Sequence, residues 1–285
     1  MGTNTTVRSL LSSTTLPQNE AKILLAFVLE KHYQLPRSAL LSRDEMELHA
    51  EGFQEWENLE ARRLSGEPIA YLVEKRGFHE IELYVAPGVL IPRPETEILV
   101  EIALREIQKL KGQATVLDLG TGSGAIALAV AHSALLAVMT ATDQSSEALA
   151  IAKINANQLG LTDRVQFFQG SWYAALDGKV NPQFDLILSN PPYIAAGDSH
   201  LTRGDLRFEP ALALTDGANG LACLKDIISQ AGSFLKPGGL IAVEHGFDQS
   251  DAVVNLMKVA QLQEIQVHRD LAEHCRAVSG RKSQS

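Results

Sequence analysis

The chain is short of three things: cysteine, positive charge and long apolar runs. Its two cysteines, Cys223 and Cys275, fit neither a CxxC nor a metal-ligand spacing, so neither a disulfide framework nor a cysteine-based metal site is predicted. The eight histidines form no HExxH or HxH pattern, and no bound metal is expected. So little cysteine is typical of a reducing compartment, and we expect the cytoplasm.

Acidic residues outnumber basic ones by 34 to 25, which gives a formal net charge of −9. Proteins that depend on phosphate contacts are usually basic, so direct binding of nucleic acid is not expected. The longest apolar stretch, residues 125–142, is interrupted by His132 and Ser133. It is predicted to form a buried helix and a strand, because a membrane span needs a longer unbroken run. We expect a globular protein without a membrane partner, and a monomer.

Three regions are predicted along the chain: an N-terminal helical domain at 1–75, a β-hairpin linker at 76–92 and a larger C-terminal domain at 93–285. In the helical domain, residues 21–30 are strong helix formers, and 51–64 carry an apolar stripe at helical spacing. We interpret this stripe as core packing. Its members are Phe53, Trp56, Leu59 and Arg63.

Two local signals mark further boundaries. Ser42-Arg43-Asp44-Glu45 has the spacing of a capping box and predicts a helix start. The alternation of Ile81, Leu83 and Val85 predicts a hairpin over residues 77–91, with its turn around Pro87-Gly88.

From residue 114 onward, strand and helix patterns alternate, which predicts an α/β fold with a doubly wound, mostly parallel sheet. A helix running to about Lys111 precedes this region. The segment 191–218 is long for a connection in a compact domain, which favours a functional role. Strands are predicted at 115–119, 138–143, 165–170, 184–190, 240–246, 263–268 and 276–279, and helices near 124–133, 146–159, 219–235 and 248–260.

The glycine-rich segment 118–124 lies between a predicted strand and a predicted helix. Glycines adopt positive φ and let a ligand approach the backbone, and the start of the helix presents free N–H groups. Asp143 ends the next strand, where a carboxylate can accept hydrogen bonds from a ribose. The segment also fits a dinucleotide fingerprint through Gly120, Gly122 and Ala125. The glycine loop alone therefore leaves NAD and S-adenosylmethionine open.

The tetrapeptide Asn190-Pro191-Pro192-Tyr193 follows the apolar run 184–189, at the carboxyl end of a predicted buried strand. The Asn side chain offers a carbonyl acceptor beside an NH2 donor. The prolines have no N–H and a fixed φ, so their carbonyl groups can point toward a bound ligand. The Tyr ring adds a flat stacking face. Together these groups suit a planar substrate that carries an NH2 group, such as an amide or a nucleobase.

The chain resembles a known enzyme family at several motifs. Asp118-x-Gly120-x-Gly122-x-Gly124 resembles the nucleoside-binding motif of class I S-adenosylmethionine-dependent methyltransferases, and the tetrapeptide resembles that of the enzymes methylating amino groups. The stretch 89–97 narrows the resemblance to the HemK/PrmC family, the protein-(glutamine-N5) methyltransferases acting on peptide chain release factors. Further motifs in the family's order are Pro68-x-x-Tyr71-Leu72, Glu209-Pro210-x-x-Ala213-Leu214, Lys236-Pro237-Gly238-Gly239 and Glu244-His245-Gly246. The resemblance covers roughly residues 66–280, whereas 1–65 match in length and type alone.

The resemblance implies a Rossmann-like catalytic domain and a set of site residues. Asp143 would hold the ribose of S-adenosyl-L-methionine, and Trp172 would pack on its adenine. Asn190 would lie between cofactor and substrate. Arg93 and Glu95 are motif residues for which an ion pair and a substrate contact both stay open, and Asp118 is expected to order the glycine loop. The methionine end would contact Gly120, Thr121, Gly122, Ser123 and Gly124; the substrate would contact Asn190, Pro191, Pro192 and Tyr193, with Asn190, Pro191 and Tyr193 catalytic.

The implied reaction is methylation of N5 of the glutamine in the Gly-Gly-Gln motif of class 1 release factors, with the helical domain docking the substrate. Three other functions stay open. A glutamine methyltransferase of a ribosomal protein would have nearly the same catalytic domain. A DNA adenine-N6 methyltransferase would need base flipping and a DNA-reading region, and the acidic chain shows no basic arm. A non-catalytic binding protein could retain the fold.

Overall fold

The computed structural model describes residues 5–110, 112–178, 182–270 and 272–284. They form two compact units, each with its own hydrophobic core. The first unit contains the described residues up to Lys75 together with Gly204–Phe208, and the second contains Arg76–Arg203 and the described residues from Glu209 onward. The sequence prediction assigns 204–208 to the catalytic domain, whereas in the structure this segment packs with the first unit.

The first unit is helical. Its core confirms the predicted packing of Trp56 and Leu59, which are buried there, and of Phe53, which packs against them, whereas Arg63 forms an ion pair with Glu20. The helices are α1 (Val7–Ser13), α2 (Gln18–Tyr33), α3 (Ala39–Ser42), α4 (Ala50–Leu64) and α5 (Ile69–Leu72).

The capping box predicted at residues 42–45 is wrong. Ser42 ends α3, and Asp44 forms an ion pair with Arg8 at 2.5 Å. The next helix, α4, is capped by His49, whose Nδ1 accepts a hydrogen bond from the N–H of Gly52 at 3.1 Å. Because Ser, Thr, Asp and Asn are the usual caps, a histidine cap gives no signal in the sequence.

Two arginines hold the segment 204–208 within the first unit. The guanidinium of Arg63 contacts Glu20 at 2.7 Å and Asp205 at 3.1 Å. The guanidinium of Arg207 donates to the carbonyl oxygen of Ser65 at 2.5 Å. The contacts of Arg63 with Asp205 and of Arg207 with Ser65 each join residues that are 142 positions apart in the chain.

Strands β1 (Lys75–Phe78) and β2 (Ile81–Tyr84) form a two-stranded sheet. The alternation predicted there is confirmed, since Ile81, Leu83 and Val85 are buried. A turn lies at Pro87-Gly88, but its predicted place as the turn of the hairpin is wrong, because the strands are joined at His79–Glu80. His79 adopts a φ of 51°, and its N–H donates to Glu97 at 3.0 Å. A turn without Gly, Pro, Asn or Asp lacks the residues from which turns are usually predicted.

The second unit is built on a seven-stranded sheet, as predicted for a doubly wound α/β fold. The strand order is β5-β4-β3-β6-β7-β9-β8; β9 is antiparallel to both neighbours, and the other pairs are parallel. The strands are β3 (Ala114–Leu119), β4 (Ala137–Asp143), β5 (Val165–Gln169), β6 (Phe184–Ser189), β7 (Leu235–Glu244), β8 (Gln263–Arg269) and β9 (Cys275–Arg281). The helices are α6 (Glu97–Ile107), α7 (Ala125–Ser133), α8 (Ser146–Gln158), α9 (Ala211–Leu214), α10 (Ala222–Phe234) and α11 (Ser250–Val259).

The largest difference from the predicted boundaries is in β7. The strand predicted at 240–246 runs over Leu235–Glu244, because an irregularity opposite Phe184 and Leu186 takes the segment 236–239 into the sheet. Gly239 is needed there, since a Cβ would lie 3.0 Å from the carbonyl oxygen of Phe184. The helix predicted to reach Lys111 ends, as α6, at Ile107; Lys111 itself lies outside the described residues.

The segment after β6 is closed at its base. Ile194 forms a bridge with Thr215, and its N–H donates to the carbonyl oxygen of Leu214 at 3.0 Å. Between them lie two short 3-10 turns and α9. No helix among the described residues is both long enough and apolar enough to cross a membrane.

Candidate active site

A cavity of about 490 Å³ lies at the carboxyl ends of β3, β4, β5 and β6. The strand order reverses between β3 and β6, and open α/β sheets bind ligands at such a switch point. The volume is in the range of small-molecule sites. Loops after the four strands form one side, and the exit of the hairpin with residues 210–213 forms the other. The lining includes Gly88, Val89, Pro92, Arg93, Gly120, Thr121, Gly122, Ser123, Asp143, Gly170, Trp172, Asn190, Pro192, Leu212 and Ala213.

The three glycines of the loop after β3 have different surroundings. A Cβ on Gly122 would have no heavy atom within 4 Å, so the cavity can bring a ligand against the backbone at this residue. A Cβ on Gly120 would lie 3.1 Å from the Trp172 ring. Gly124, predicted to contact the cofactor, is not in the lining; a Cβ there would lie 2.8 Å from Leu128. We therefore attribute Gly124 to close helix packing.

Asp118 lies beneath the loop and is fully buried. One carboxyl oxygen accepts from the hydroxyl of Thr121 at 2.6 Å and from the N–H of Ala127 at 3.3 Å. The prediction that Asp118 orders the glycine loop is confirmed by these contacts. Burial raises the pKa of Asp118 to about 7.

Asp143, the last residue of β4, lines the same cavity. Its two carboxyl oxygens accept from the N–H groups of Gly122 and Ser145, each at 2.9 Å. Burial raises its pKa. Each carboxylate oxygen retains a further lone pair, so the group can fix the loop and still accept from a ribose hydroxyl. The ribose contact stays a prediction.

Trp172 follows β5 and starts a 3-10 helix with a φ of 46°. This left-handed conformation is rare for a bulky residue and is often found at functional sites. The side chain is half-buried, packs on the main core and lines the cavity. Its position suits the predicted role as the flat contact for adenine.

The tetrapeptide divides into two pairs. Asn190 and Pro192 line the cavity, whereas Pro191 is buried and Tyr193 is outside the lining. The Asn190 NH2 group donates to the hydroxyl of Thr96 at 3.0 Å. The Tyr193 hydroxyl donates to the carboxyl of Glu244 at 3.0 Å. Asn190 and Pro192 thus face the cavity, while Pro191 and Tyr193 fix the turn.

Of the two interpretations open for Arg93, the ion pair is observed. Its guanidinium hydrogen bonds to Glu209, whose side chain is fully buried. Glu209 also accepts from the N–H of Ile91 at 3.0 Å. The pair fixes the segment after residue 208 to the exit of the hairpin, so that both form one wall of the cavity. Glu95 is near Glu244 and raises its pKa.

Sequence reasoning gave no role to four polar residues that build this site: Thr96, Asn155, Glu209 and Glu244. Asn155 is fully buried; it donates to the carbonyl oxygens of Tyr84 at 3.0 Å and Ser123 at 2.9 Å and accepts from the Tyr84 N–H at 2.7 Å. Local signals existed for Thr96, Glu209 and Glu244, which lie in motifs that carry the family resemblance, but none of these motifs indicates the contacts. The partners of all four are remote in sequence.

In the first unit, the side chains of His32, His49 and Glu51 bring metal-ligating atoms within 4.8 Å of one another. His49 and Glu51 lie at the start of α4, whereas His32 lies in α2, so spacing along the chain does not reveal the group. His49 Nδ1 accepts the Gly52 N–H, which places the proton of the neutral ring on Nε2. This ring therefore has no second lone pair for a metal, and its observed role is to cap α4.

The catalytic unit is similar in fold to solved methyltransferases. One is a methyltransferase from Pyrococcus furiosus, with 21% identity, coverage of 79% of this chain and 98% of that one, and a TM-score of 0.51. Another is the T. thermophilus 16S rRNA N2 G1207 methyltransferase in complex with AdoMet and guanosine, with 18% identity, coverage of 73% and 49%, and a TM-score of 0.54. Both support the class I methyltransferase fold.

Family comparisons cover both units. Residues 110–281 match the family described as Methyltransferase domain, and residues 5–73 match the PrmC N-terminal domain. The chain is 47% identical to the release factor glutamine methyltransferase of Bordetella pertussis, over 94% of this chain and 96% of that protein. It is 44% identical to the enzyme of the same name from Neisseria gonorrhoeae, over 93% and 94%. The chain therefore belongs to the release factor glutamine methyltransferase family.

Proposed function

We propose that this protein transfers a methyl group from S-adenosyl-L-methionine to N5 of the glutamine in the Gly-Gly-Gln motif of class 1 peptide chain release factors. The observation that carries this proposal is the position of Asn190. It is the first residue after β6 and lines a cavity that also contains the glycine loop. A neutral amide side chain at this position matches the amide group of a glutamine.

The cavity residues fit the proposed methyl donor. Gly122 leaves space beside the backbone, Asp143 offers carboxylate lone pairs at the strand end, and Trp172 offers a flat face. S-adenosylmethionine supplies an electrophilic methyl group on a sulfonium sulfur. The chain's own task is to hold that end near Gly120–Ser123 and to keep the nucleophile in line with it.

An amide nitrogen is a poor nucleophile, because its lone pair is delocalised into the carbonyl group. The Asn190 side-chain carbonyl and the Pro191 backbone carbonyl can accept hydrogen bonds from the two N–H groups of the substrate amide, which orients the nitrogen and favours positive charge on it. Tyr193 fixes the turn that carries both carbonyl groups. Positioning of this kind contributes up to roughly 7–11 kcal/mol in ideal intramolecular reactions. We therefore assign Asn190 and Pro191 as the catalytic residues, whereas Tyr193, which the sequence also predicts to be catalytic, is a positioning residue because it lies outside the cavity lining.

We also propose that residues 1–75 form the docking domain for the release factor and that 76–92 link it to the catalytic domain. The substrate proposal supports this, because a cavity that admits one side chain cannot select a whole protein. Packing of Gly204–Phe208 within the helical unit gives additional support, since this segment belongs to the insert after the tetrapeptide.

The test uses the full chain, tritiated S-adenosylmethionine and an intact release factor, with mass spectrometry of the Gly-Gly-Gln peptide. We expect one methyl group on the glutamine and none when that glutamine is replaced by asparagine. Ribosomal proteins and duplex DNA are offered as competing substrates in the same assay. Methylation of either in preference to the release factor would overturn the proposal.

We further propose a monomer that acts in the cytoplasm without direct nucleic-acid contact. The net charge of −9 disfavours contact with phosphate groups, and the proposed substrate is a translation factor. Sedimentation of the pure protein tests the oligomeric state. Insensitivity of the methylation rate to added RNA tests the second statement.

A further inference from the structure

The carboxyl end of the tetrapeptide is held by the side chain of Gln249, the residue before α11. Its NH2 group donates to the backbone carbonyl of Tyr193 at 3.0 Å and to that of Gly220 at 3.3 Å. Its carbonyl oxygen accepts from the N–H of Gly246 at 2.9 Å. One amide group therefore joins the tetrapeptide to the loop before α10 and to the loop after β7.

The partners of the Gln249 amide determine its orientation. Hydrogen bonding decides between the two orientations of a glutamine side chain. A backbone N–H can only donate and a backbone carbonyl can only accept, so the oxygen must face Gly246 and the NH2 group must face Tyr193 and Gly220. The backbone N–H of Gln249 also donates to the Gly246 carbonyl at 2.9 Å, which anchors the side chain on its own loop.

Gly220 brings the loop before α10 into direct contact with the tetrapeptide. It is buried and has a φ of 82°. A Cβ at this position would lie 2.3 Å from the carbonyl oxygen of Tyr193 and 2.8 Å from the NH2 group of Gln249. The N–H of Gly220 is in turn held by the Asp216 carboxylate at 3.0 Å. A glycine is therefore required for the Tyr193 carbonyl to reach its donor.

The peptide group between Tyr193 and Ile194 is hydrogen bonded at both ends. Its carbonyl accepts from Gln249, and its N–H donates to the carbonyl oxygen of Leu214 at 3.0 Å. Earlier in the turn, the proline rings fix φ at residues 191 and 192, so the direction of the Pro191 carbonyl depends mainly on the ψ angles. Holding the peptide group that ends the turn restricts these angles.

We propose that Gln249 is a positioning residue for methyl transfer: it fixes the peptide group after Tyr193 and so sets the direction of the Pro191 carbonyl. The inference rests on the proposed function, in which that carbonyl accepts a hydrogen bond from the substrate amide. Gln249 itself lies outside the cavity lining, so it acts through the turn. Its loss should therefore lower kcat and leave cofactor binding unchanged.

The first test replaces the donor and keeps the shape. Gln249→Glu retains an oxygen for the Gly246 N–H but sets a second carboxylate oxygen against two backbone carbonyls. We expect kcat with an intact release factor to fall about tenfold to a hundredfold, as a small displacement of reacting groups costs in other enzymes. KM for S-adenosylmethionine should change less than about twofold. Gln249→Met removes the donor without adding a charge and should lower kcat in the same way.

A matched control for this change lies on α10. There the side-chain NH2 group of Gln230 donates to the backbone carbonyl of Asp226 at 3.0 Å on the exposed surface. Gln230→Glu thus also replaces an amide donor to a backbone carbonyl by a carboxylate. We expect this variant to retain the wild-type kcat.

The second test moves the same peptide group from its other side. Gly220→Ala places a methyl group against the Tyr193 carbonyl, so kcat should fall at least about tenfold. Gly217→Ala is the matched control, because Gly217 lies in the same loop with a φ of 70°, and a Cβ there would meet no heavy atom within 4 Å. The two variants introduce similar backbone strain, and the control should retain the wild-type kcat.

Hydrogen exchange of the Ile194 N–H in the ligand-free protein measures the turn independently of turnover. This N–H belongs to the peptide group that Gln249 holds. We expect it to exchange at least about tenfold faster in Gln249→Glu and Gly220→Ala than in the wild type, as for the loss of about one hydrogen bond. It should exchange at the wild-type rate in Gln230→Glu and Gly217→Ala. Mass spectrometry of peptides around residue 194 gives the rate.

Failure of the proposed function and failure of this inference give different results. If the wild type does not methylate a release factor, the proposed function fails, and exchange at Ile194 still decides whether Gln249 holds the turn. If the wild type is active and Gln249→Glu keeps its kcat, the positioning role is refuted whatever the exchange rate. Equal loss of kcat in Gly220→Ala and Gly217→Ala would also refute it, because strain in the loop is then the cause.

Discussion

Carboxyl side chains lie at both ends of the parallel strands of the central sheet, but their partners differ. The end at which these strands begin is called the amino edge below, and the end at which they finish is called the carboxyl edge. At the amino edge, Asp185 contacts the ammonium group of Lys236 and the N–H of Thr115, each at 2.8 Å. Burial alone would raise the pKa of Asp185, but these partners outweigh it and hold the pKa below its usual value. At the carboxyl edge, burial raises the pKa of Asp118 and of Glu244 to about 7 each.

At the amino edge, the partners of Asp185 therefore stabilise a charge that supports only the fold. At the carboxyl edge, Asp118 and Glu244 stay buried although their burial costs free energy. Neither Asp118 nor Glu244 has an ion-pair partner among the described residues. Perturbed pKa values of this kind cluster at functional sites. The cavity that contains Asn190 and the glycine loop lies at the same edge as these two carboxyl groups.

The largest expected effect is on the methylation rate, when Asn190 at the carboxyl edge is replaced. Asn190→Ala removes the carbonyl acceptor, and we expect the methylation rate to fall by a factor of about 10²–10³, as when a positioned hydrogen-bonding group is removed from other active sites. Asn190→Asp keeps an acceptor but loses the NH2 donor, so its loss should be smaller. Turnover with tritiated cofactor and the unfolding midpoint together check that the fold is intact. A near-normal rate for Asn190→Ala would contradict the role.

The next effect compares the two edges by stability. The folded-state pKa of Glu244 is raised above its unfolded value, so its contribution to stability is present below about pH 4.5 and is lost as the pH rises through about 7. At pH 8.5, Glu244→Gln should raise the free energy of unfolding by about 3 kcal/mol. Urea unfolding from pH 5 to 8.5 measures this change, and the slope with pH should be smaller in the variant.

Asp185→Asn should have the opposite sign in the same urea experiment. Its folded-state pKa is lowered, so its contribution is present above the unfolded pKa and is lost as the pH falls through the folded one. We expect this variant to lower the free energy of unfolding at pH 7 by about 1–3 kcal/mol. If both variants changed the free energy of unfolding in the same direction, the proposed difference between the two edges would be wrong.

A smaller effect is expected at Asp143, which also belongs to the carboxyl edge. Asp143→Ala should weaken S-adenosylmethionine binding by about 1–3 kcal/mol, the loss of one or two hydrogen bonds. Calorimetry on the wild type should show binding of S-adenosylmethionine or its demethylated product but not of NAD. Tight NAD binding without S-adenosylmethionine binding would remove the basis of the methyltransferase proposal.

The smallest effect is expected in the helical unit. Arg63→Gln removes the ion pairs with Glu20 and Asp205, and we expect KM for an intact release factor to rise by at most about fivefold, as for a partly exposed pair. KM for a short Gly-Gly-Gln peptide should not change. Arg62→Gln is the control, since Arg62 pairs with Glu67. Equal effects of the two variants would leave the segment 204–208 without a role in docking.

The fold and the loops that line the cavity were predictable because their signals are local. Asp118 and the three glycines lie within seven consecutive residues, and the tetrapeptide follows directly on a strand. The supporting contacts were not predictable, because they join distant residues: Arg93 pairs with a residue 116 positions away, and Asn190 with one 94 positions away. The turn at His79 and the cap at His49 were missed for another reason, since both use residues that rarely serve those roles.

The closed base of the segment after β6 has a consequence for how the family can diversify. Because the Ile194–Thr215 bridge and the Arg93–Glu209 pair fix both ends of this excursion, residues 195–203 can change in length without moving Asn190. Doubling the length of a flexible loop costs only about 0.6 kcal/mol in closure entropy. Insertions in this stretch can therefore change which partner is selected without moving the residues that line the cavity.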